Sequence, residues 1–92
     1  VTSENRRVVV TAHGGVENLA VESAPAAGPP GDGEVEVRVL HSCVSGADIN
    51  MRENLYHVKF SPPFTPGYSI VGRVERCGAN ATRFNVGELV AA

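Results

Sequence analysis

The stretch Glu34-Val35-Glu36-Val37-Arg38-Val39-Leu40 decides the fold class. Successive side chains of a strand point to opposite faces, so this alternation sends Val35, Val37 and Val39 into a core and Glu34, Glu36 and Arg38 into water. Working outward, similar short apolar runs recur between turn residues, and no long helical period appears. Arg7 to Thr11 reads as a strand ended by Gly14-Gly15, and Leu19 to Ser23 as a second ended at Pro25. Pro25 to Gly33 must be a surface loop, because proline lacks an N–H and glycine does not hold a ladder. Beyond the central run, Ser45-Gly46-Ala47-Asp48 fits the capping-box spacing and predicts a short helix over Asp48 to Asn54. Ser61 to Pro66 is a proline-rich loop. Tyr68 to Arg76 is a strand whose Gly72 implies a sharp bend or a close backbone approach. Gly78 to Thr82 is a turn, and Asn85 to Ala92 reads as the last strand. The expected fold is mainly β, with one or two short helices.

Composition bounds the function. The chain has 92 residues, 42% of them hydrophobic and 20% charged, with a formal net charge of −2. That is the profile of one small soluble domain spanning 1–92, with a thin core. The acidic balance and the lack of any Lys/Arg cluster argue against nucleic acid as a partner. No apolar run reaches the ~20 residues needed to span a bilayer, and the polar start Val1 to Arg7 lacks the core of a signal peptide. A cytoplasmic setting is the expectation. Two cysteines, Cys43 and Cys77, are too few for a disulfide framework and read as free thiols. The apolar end Leu89-Val90-Ala91-Ala92 suggests a piece of something longer.

Several segments together carry a resemblance: Val8 to Gly15, Pro30 to Leu40, Val44 to Tyr56 (Val-Ser-Gly-Ala-Asp-Ile-Asn-Met-Arg-Glu-Asn-Leu-Tyr), Pro63 to Gly78 (Pro-Phe-Thr-Pro-Gly-Tyr-Ser-Ile-Val-Gly-Arg-Val-Glu-Arg-Cys-Gly) and Thr82 to Ala92. In order and wording they resemble the N-terminal catalytic domain of the medium-chain dehydrogenase/reductase superfamily, a GroES-like, partly open β-barrel. Zinc-dependent members place Cys and His three and two residues before the aspartate of the helix, and follow the Pro-Gly turn with Gly-His-Glu. Here those positions hold Ser45 and Gly46 before Asp48, then Gly67-Tyr68-Ser69. Zinc takes thiolate, imidazole or carboxylate in a tetrahedral set, and a serine hydroxyl with a tyrosine does not supply one. The resemblance therefore points to the zinc-free, quinone-oxidoreductase-like branch. It implies an NADPH-dependent reductase of quinones or activated carbon–carbon double bonds, with no catalytic zinc.

The same resemblance nominates the site. Ser45 would border the nicotinamide and bond a carboxamide or substrate carbonyl, while its plain alternative is a helix cap. Asp48 would sit at the pocket edge, or simply satisfy the helix N-terminus. Tyr56 has two readings: a phenol facing cofactor and substrate that donates to a developing enolate, or a half-buried staple of its loop. Asn50 and Tyr68 are the candidate substrate-contacting residues. Asn50 stands where relatives often carry tyrosine, and Tyr68 replaces a metal ligand and would fill the vacant zinc cavity. Arg52 would meet a phosphate or acid, or be an exposed charge on a short helix. His41 and Cys43 share a strand face but have no third ligand in range. His13 and His57 read as loop residues. Asn80-Ala81-Thr82 matches a glycosylation triplet by chance.

No Gly-x-Gly-x-x-Gly stands between a strand and a helix; Gly31-Asp32-Gly33 opens a strand instead. The resemblance therefore implies a following Rossmann domain of the same parent chain, which would hold most of the NADPH, and it allows a homodimer of the full-length protein. A free-standing co-chaperonin-like binding module and an enoyl-reductase module of a multi-domain synthase are the alternatives.

Overall fold

The computed structural model describes residues 5–92, so the first part of the polar start, Val1 to Glu4, lies outside the described residues. The chain is mainly β. Its strands are β1 (Arg6–Val10), β2 (Leu19–Ser23), β3 (Val35–Ser42), β4 (Ile70–Cys77) and β5 (Leu89–Ala91), with one α-helix, α1 (Gly46–Arg52), between β3 and β4. It divides into two compact units. One comprises residues 5–26 and 44–67, the other Ala27–Cys43 and Tyr68–Ala92.

In the first unit β1 and β2 form an antiparallel pair in continuous register from Arg6 opposite Ser23 to Val10 opposite Leu19. A single 3₁₀ turn, Val16–Asn18, carries the chain between them. The Thr11 N–H and hydroxyl both donate to the Asn18 carbonyl, at 2.9 and 3.0 Å, and the Asn18 amide donates to the His13 carbonyl at 3.1 Å. These bonds close the connection on itself, while the Gly14 N–H leaves it to donate to the Arg52 carbonyl. Val9 and Val10 are buried, with Val10 fully enclosed, and Met51 of α1 is the other buried apolar side chain of this unit among the described residues.

α1 begins two residues before the predicted Asp48, because Ser45 adopts the extended N-cap conformation and the turn starts directly after it. Its end is equally local. Asn54 takes a left-handed φ of 62°, its N–H donates to the Met51 carbonyl at 3.3 Å, and the Leu55 N–H donates to the Asn50 carbonyl at 2.8 Å. This pairing satisfies the last carbonyls and turns the chain away, with asparagine in the place glycine usually takes.

In the second unit β3, β4 and β5 form a three-stranded antiparallel sheet in that order. Neither sheet closes on itself among the described residues. β3 runs past the predicted Leu40 to Ser42, but with register shifts at Glu36/Val37 and Val39/His41. Val39, expected in the core, is 54% exposed, and its cross-strand partner is Gly72, which has no side chain to cover it. Val74 is the buried apolar side chain of this unit. The last strand is shorter than predicted. Asn85 to Glu88 instead form a turn, with the Glu88 N–H donating to the Asn85 carbonyl at 3.1 Å and the Gly87 N–H to the Val74 carbonyl at 2.8 Å.

Two glycines are required by close approach. A Cβ on Gly72 would overlap the Arg38 carbonyl oxygen and stand 2.6 Å from Val37 Cγ1; one on Gly78 would overlap the Gly31 carbonyl. The expected close approach at Gly72 is thus present, opposite Val39 and beside the register shift. Across the same strands Arg76 grips Glu36 with two bonds of 2.7 Å, and Arg38 bonds Glu75 at 2.6 Å. The hydrogen bonds from Arg76, partly opposed by desolvation, hold the Glu36 carboxyl below its ordinary value, and the same bonds to Glu36 raise Arg76.

Two outcomes follow from these contacts. Gly72→Ala should cost about 1–3 kcal/mol by overpacking against backbone, read as a lower denaturation midpoint; an unchanged midpoint would refute the close approach. Glu36 binds its proton more weakly folded than unfolded, so its contribution is present above the unfolded value and lost as pH falls through the folded one. The difference in midpoint between wild type and Arg76→Gln should therefore shrink with acidification.

Candidate functional site

The segment from Ser45 to Phe64 belongs to one unit and carries four of the five nominated residues: Ser45, Asp48 and Asn50 at its helix, and Tyr56 after it. At the start of α1, Ser45 and Asp48 make the reciprocal arrangement of a capping box. The Ser45 N–H donates to Asp48 Oδ2 at 2.9 Å and the Ser45 hydroxyl donates to the same oxygen at 3.2 Å. Asp48 is 8% exposed, and its other oxygen, Oδ1, is buried without a hydrogen-bond partner among the described residues. A buried carboxylate with one unanswered oxygen carries a desolvation cost that its capping bonds offset. The structural reading of Ser45 and Asp48 is thus present in the geometry. A hydroxyl has one proton. While Ser45 gives it to Asp48, the side chain can accept from a ligand but has nothing left to donate.

Asn50, on the same helix, is exposed. Tyr56 is half-buried, its ring centroid 4.3 Å from that of His57 and 6.4 Å from that of Phe60. Tyr68 belongs to the other unit, two residues before β4, and is 58% exposed. It lies outside the ladder.

Arg52 is not the exposed charge that a short helix suggested. Its side chain is 14% exposed, and its Nε donates to the Gly14 carbonyl at 3.0 Å while the Arg52 carbonyl accepts the Gly14 N–H at 2.9 Å. A further bond of 3.2 Å runs to Glu53. The guanidinium is a clamp between the hairpin connection and the end of α1, not an exposed charge. No local pattern could have signalled a partner 38 residues away.

The loop after the helix is pinned by backbone bonds. The Val10 N–H donates to the Phe64 carbonyl at 2.8 Å, and the Phe64 N–H returns to the Val10 carbonyl at 3.3 Å. Lys59 Nζ donates to the Asn54 carbonyl at 3.0 Å. Sequence reasoning missed these anchors and also the row of rings they hold, because Tyr56, Phe60 and Phe64 recur every four residues in a segment with no helix to give that spacing meaning. Cys43 and Cys77 are both free and exposed. Among the described residues no group of three or more His, Cys, Asp or Glu side chains is gathered as a metal site, and no helix is long and apolar enough to cross a membrane.

Strand order, the capped helix between β3 and β4 and the pinned loop define a GroES-like domain of the dehydrogenase type. Residues 31–92 match the alcohol dehydrogenase GroES-like domain. The human quinone oxidoreductase is 36% identical over 86 residues, covering 92% of this chain and 26% of that protein. The crystal structure of the human synaptic vesicle membrane protein VAT-1 homolog-like protein superposes with a TM-score of 0.87 at 27% identity, over 99% of this chain and 29% of that one. The Escherichia coli quinone oxidoreductase complexed with NADPH shares the fold, with a TM-score of 0.80 at 23% identity over 94% and 26% of the two chains. The chain belongs to the alcohol dehydrogenase GroES-like family of the medium-chain dehydrogenase/reductase superfamily. It spans about a quarter of the length of the human quinone oxidoreductase.

If the Asp48 carboxylate is chiefly a cap, Asp48→Ala should lower stability by about 1–2 kcal/mol, within the range for lost caps and buried hydrogen bonds. Thermal denaturation of the two forms checks it, and a midpoint equal to wild type would remove Asp48 from the scaffold.

Proposed function

We propose that the chain is the catalytic-domain part of a zinc-independent, NADPH-dependent oxidoreductase that reduces quinones or activated carbon–carbon double bonds. The observation that carries this reading is the donor chemistry at the helix start. The two positions at which zinc-dependent members hold Cys and His are here Ser45, whose hydroxyl is committed to Asp48, and Gly46, which has no side chain. Tyr68, at the later histidine position, offers only a phenol. This set does not fit a catalytic zinc, and no step is routed through one.

NADPH, held mainly by a Rossmann domain outside this chain, supplies the hydride when bound. What these residues contribute is orientation and charge stabilisation. Ser45 accepts a hydrogen bond from the nicotinamide carboxamide through a lone pair, the role left to it by its bond to Asp48. Tyr56 donates from its phenol to the substrate oxygen on which negative charge grows, and a preorganised donor of this kind acts where the transition state needs it. Asn50 is exposed on the same helix and offers an amide to the substrate edge. The relatedness to quinone oxidoreductase supports this reading at the level of the family. A cytoplasmic setting and a homodimer of the full-length protein belong to the same proposal. A stand-alone co-chaperonin is not the family matched.

In the full-length protein, Tyr56→Phe should lower kcat on the order of 10²-fold with little change in the denaturation midpoint, and dialysis against a chelator should leave wild-type NADPH oxidation intact. Unchanged kinetics would take Tyr56 out of the chemistry. Loss of activity on chelation, restored by zinc, would end the zinc-independent reading.

A further inference from the structure

Beyond Tyr56 the loop continues an aromatic row. The Phe60 ring lies 6.4 Å from Tyr56 and 5.5 Å from Phe64, and His13 stands 6.2 Å from Phe64 on the far side. Neighbouring planes in the Tyr56, Phe60 and Phe64 series are tilted by 33° and 32°, well short of right angles. Phe60 and Phe64 are both half-buried, which leaves ring surface accessible to a ligand. Around them the loop shows further apolar surface, with Leu55 68% and Val58 48% exposed. Exposed apolar surface in the segment that carries a proposed catalytic residue is a place where ligands bind.

The row is also held in place before any ligand arrives. Phe64 is tied through both of its backbone groups to the fully buried Val10, and Lys59 turns back onto the end of α1. Binding to such a surface orders little additional chain, so stacking is converted into affinity with small entropic loss.

Resting on the proposed function, we propose that Phe60 is a specificity-determining residue, selecting fused-ring, planar quinones over acyclic enones by stacking against the part of the acceptor that extends past Tyr56. A carbonyl bonded to the Tyr56 phenol places the rest of a bicyclic or tricyclic acceptor along the row. An acyclic enone ends before reaching it.

The test uses the full-length protein with NADPH, comparing 9,10-phenanthrenequinone with methyl vinyl ketone in wild type, Phe60→Ala and Phe60→Tyr. Phe60→Ala should raise KM for the fused-ring quinone by roughly three- to tenfold, the scale of one aromatic contact, leave its kcat unchanged and leave both constants for the enone unchanged. Phe60→Tyr should restore the wild-type KM. An equal change for both acceptors, or no change for either, overturns the proposal. Equilibrium binding of 9,10-phenanthrenequinone without NADPH separates this idea from the reaction itself. If neither acceptor is turned over, the proposed function fails, while quinone binding weakened by Phe60→Ala still sustains the row; binding that is absent from wild type or indifferent to the substitution overturns it.

Discussion

Residues 53–67 form no helix and only one bridge, so their side chains are placed by wherever their peptide groups find partners. The decisive partners are supplied by the β1–β2 hairpin: Val10 exchanges two hydrogen bonds with Phe64, and Gly14 exchanges two with Arg52, one of them from the guanidinium. Buried or half-buried backbone groups must be paired, and in an irregular segment each pairing fixes a direction of chain. Val10 is fully enclosed, so the bridge to Phe64 is shielded from water, where a hydrogen bond is stronger. The candidate site is thus a loop held by a hairpin, with the helix as its first turn.

The parts of this arrangement legible in the sequence are those whose causes are local. β2 falls at Leu19–Ser23 as read, because Gly14-Gly15 and Pro25 punctuate the chain on either side. The capping box was visible in the spacing of Ser45 and Asp48; the helix it opens ends at Arg52, before the expected Asn54, which instead takes a left-handed φ. What failed depended on a partner far away in the chain. Val39 leaves the core opposite Gly72, which has no side chain to cover it, and alternation in one strand carries no information about the residue it will face. Arg52 looked like a surface charge because nothing near it announces Gly14. The last strand starts late because Val74 takes bonds from Gly87 and to Glu88, which a run of apolar residues cannot foretell.

The site was legible in a different sense. Residue types at the zinc positions could be read one by one, since ligand chemistry depends on the atoms present and hardly on their surroundings. Burial could not be read. Asp48 passes for an ordinary first-turn acid until the structure shows it enclosed, with one oxygen serving the cap and the other unanswered. Nor could the ring row be read, because three aromatics at equal spacing mean one thing on a helix and another in a loop.

Enclosure of Asp48 divides the labour within the segment. A carboxylate in that position must be answered, and Ser45 answers it with both its N–H and its hydroxyl proton. Those groups are then unavailable as donors to a ligand, and a metal would have to displace the cap to reach them. In the proposed reaction, donation to a substrate oxygen falls to residues further along the chain, among them the Tyr56 phenol. On that proposal the scaffold and the chemistry draw on the same few polar atoms in a domain with little core to spare, and their separation along the segment, cap first and phenol later, would satisfy both.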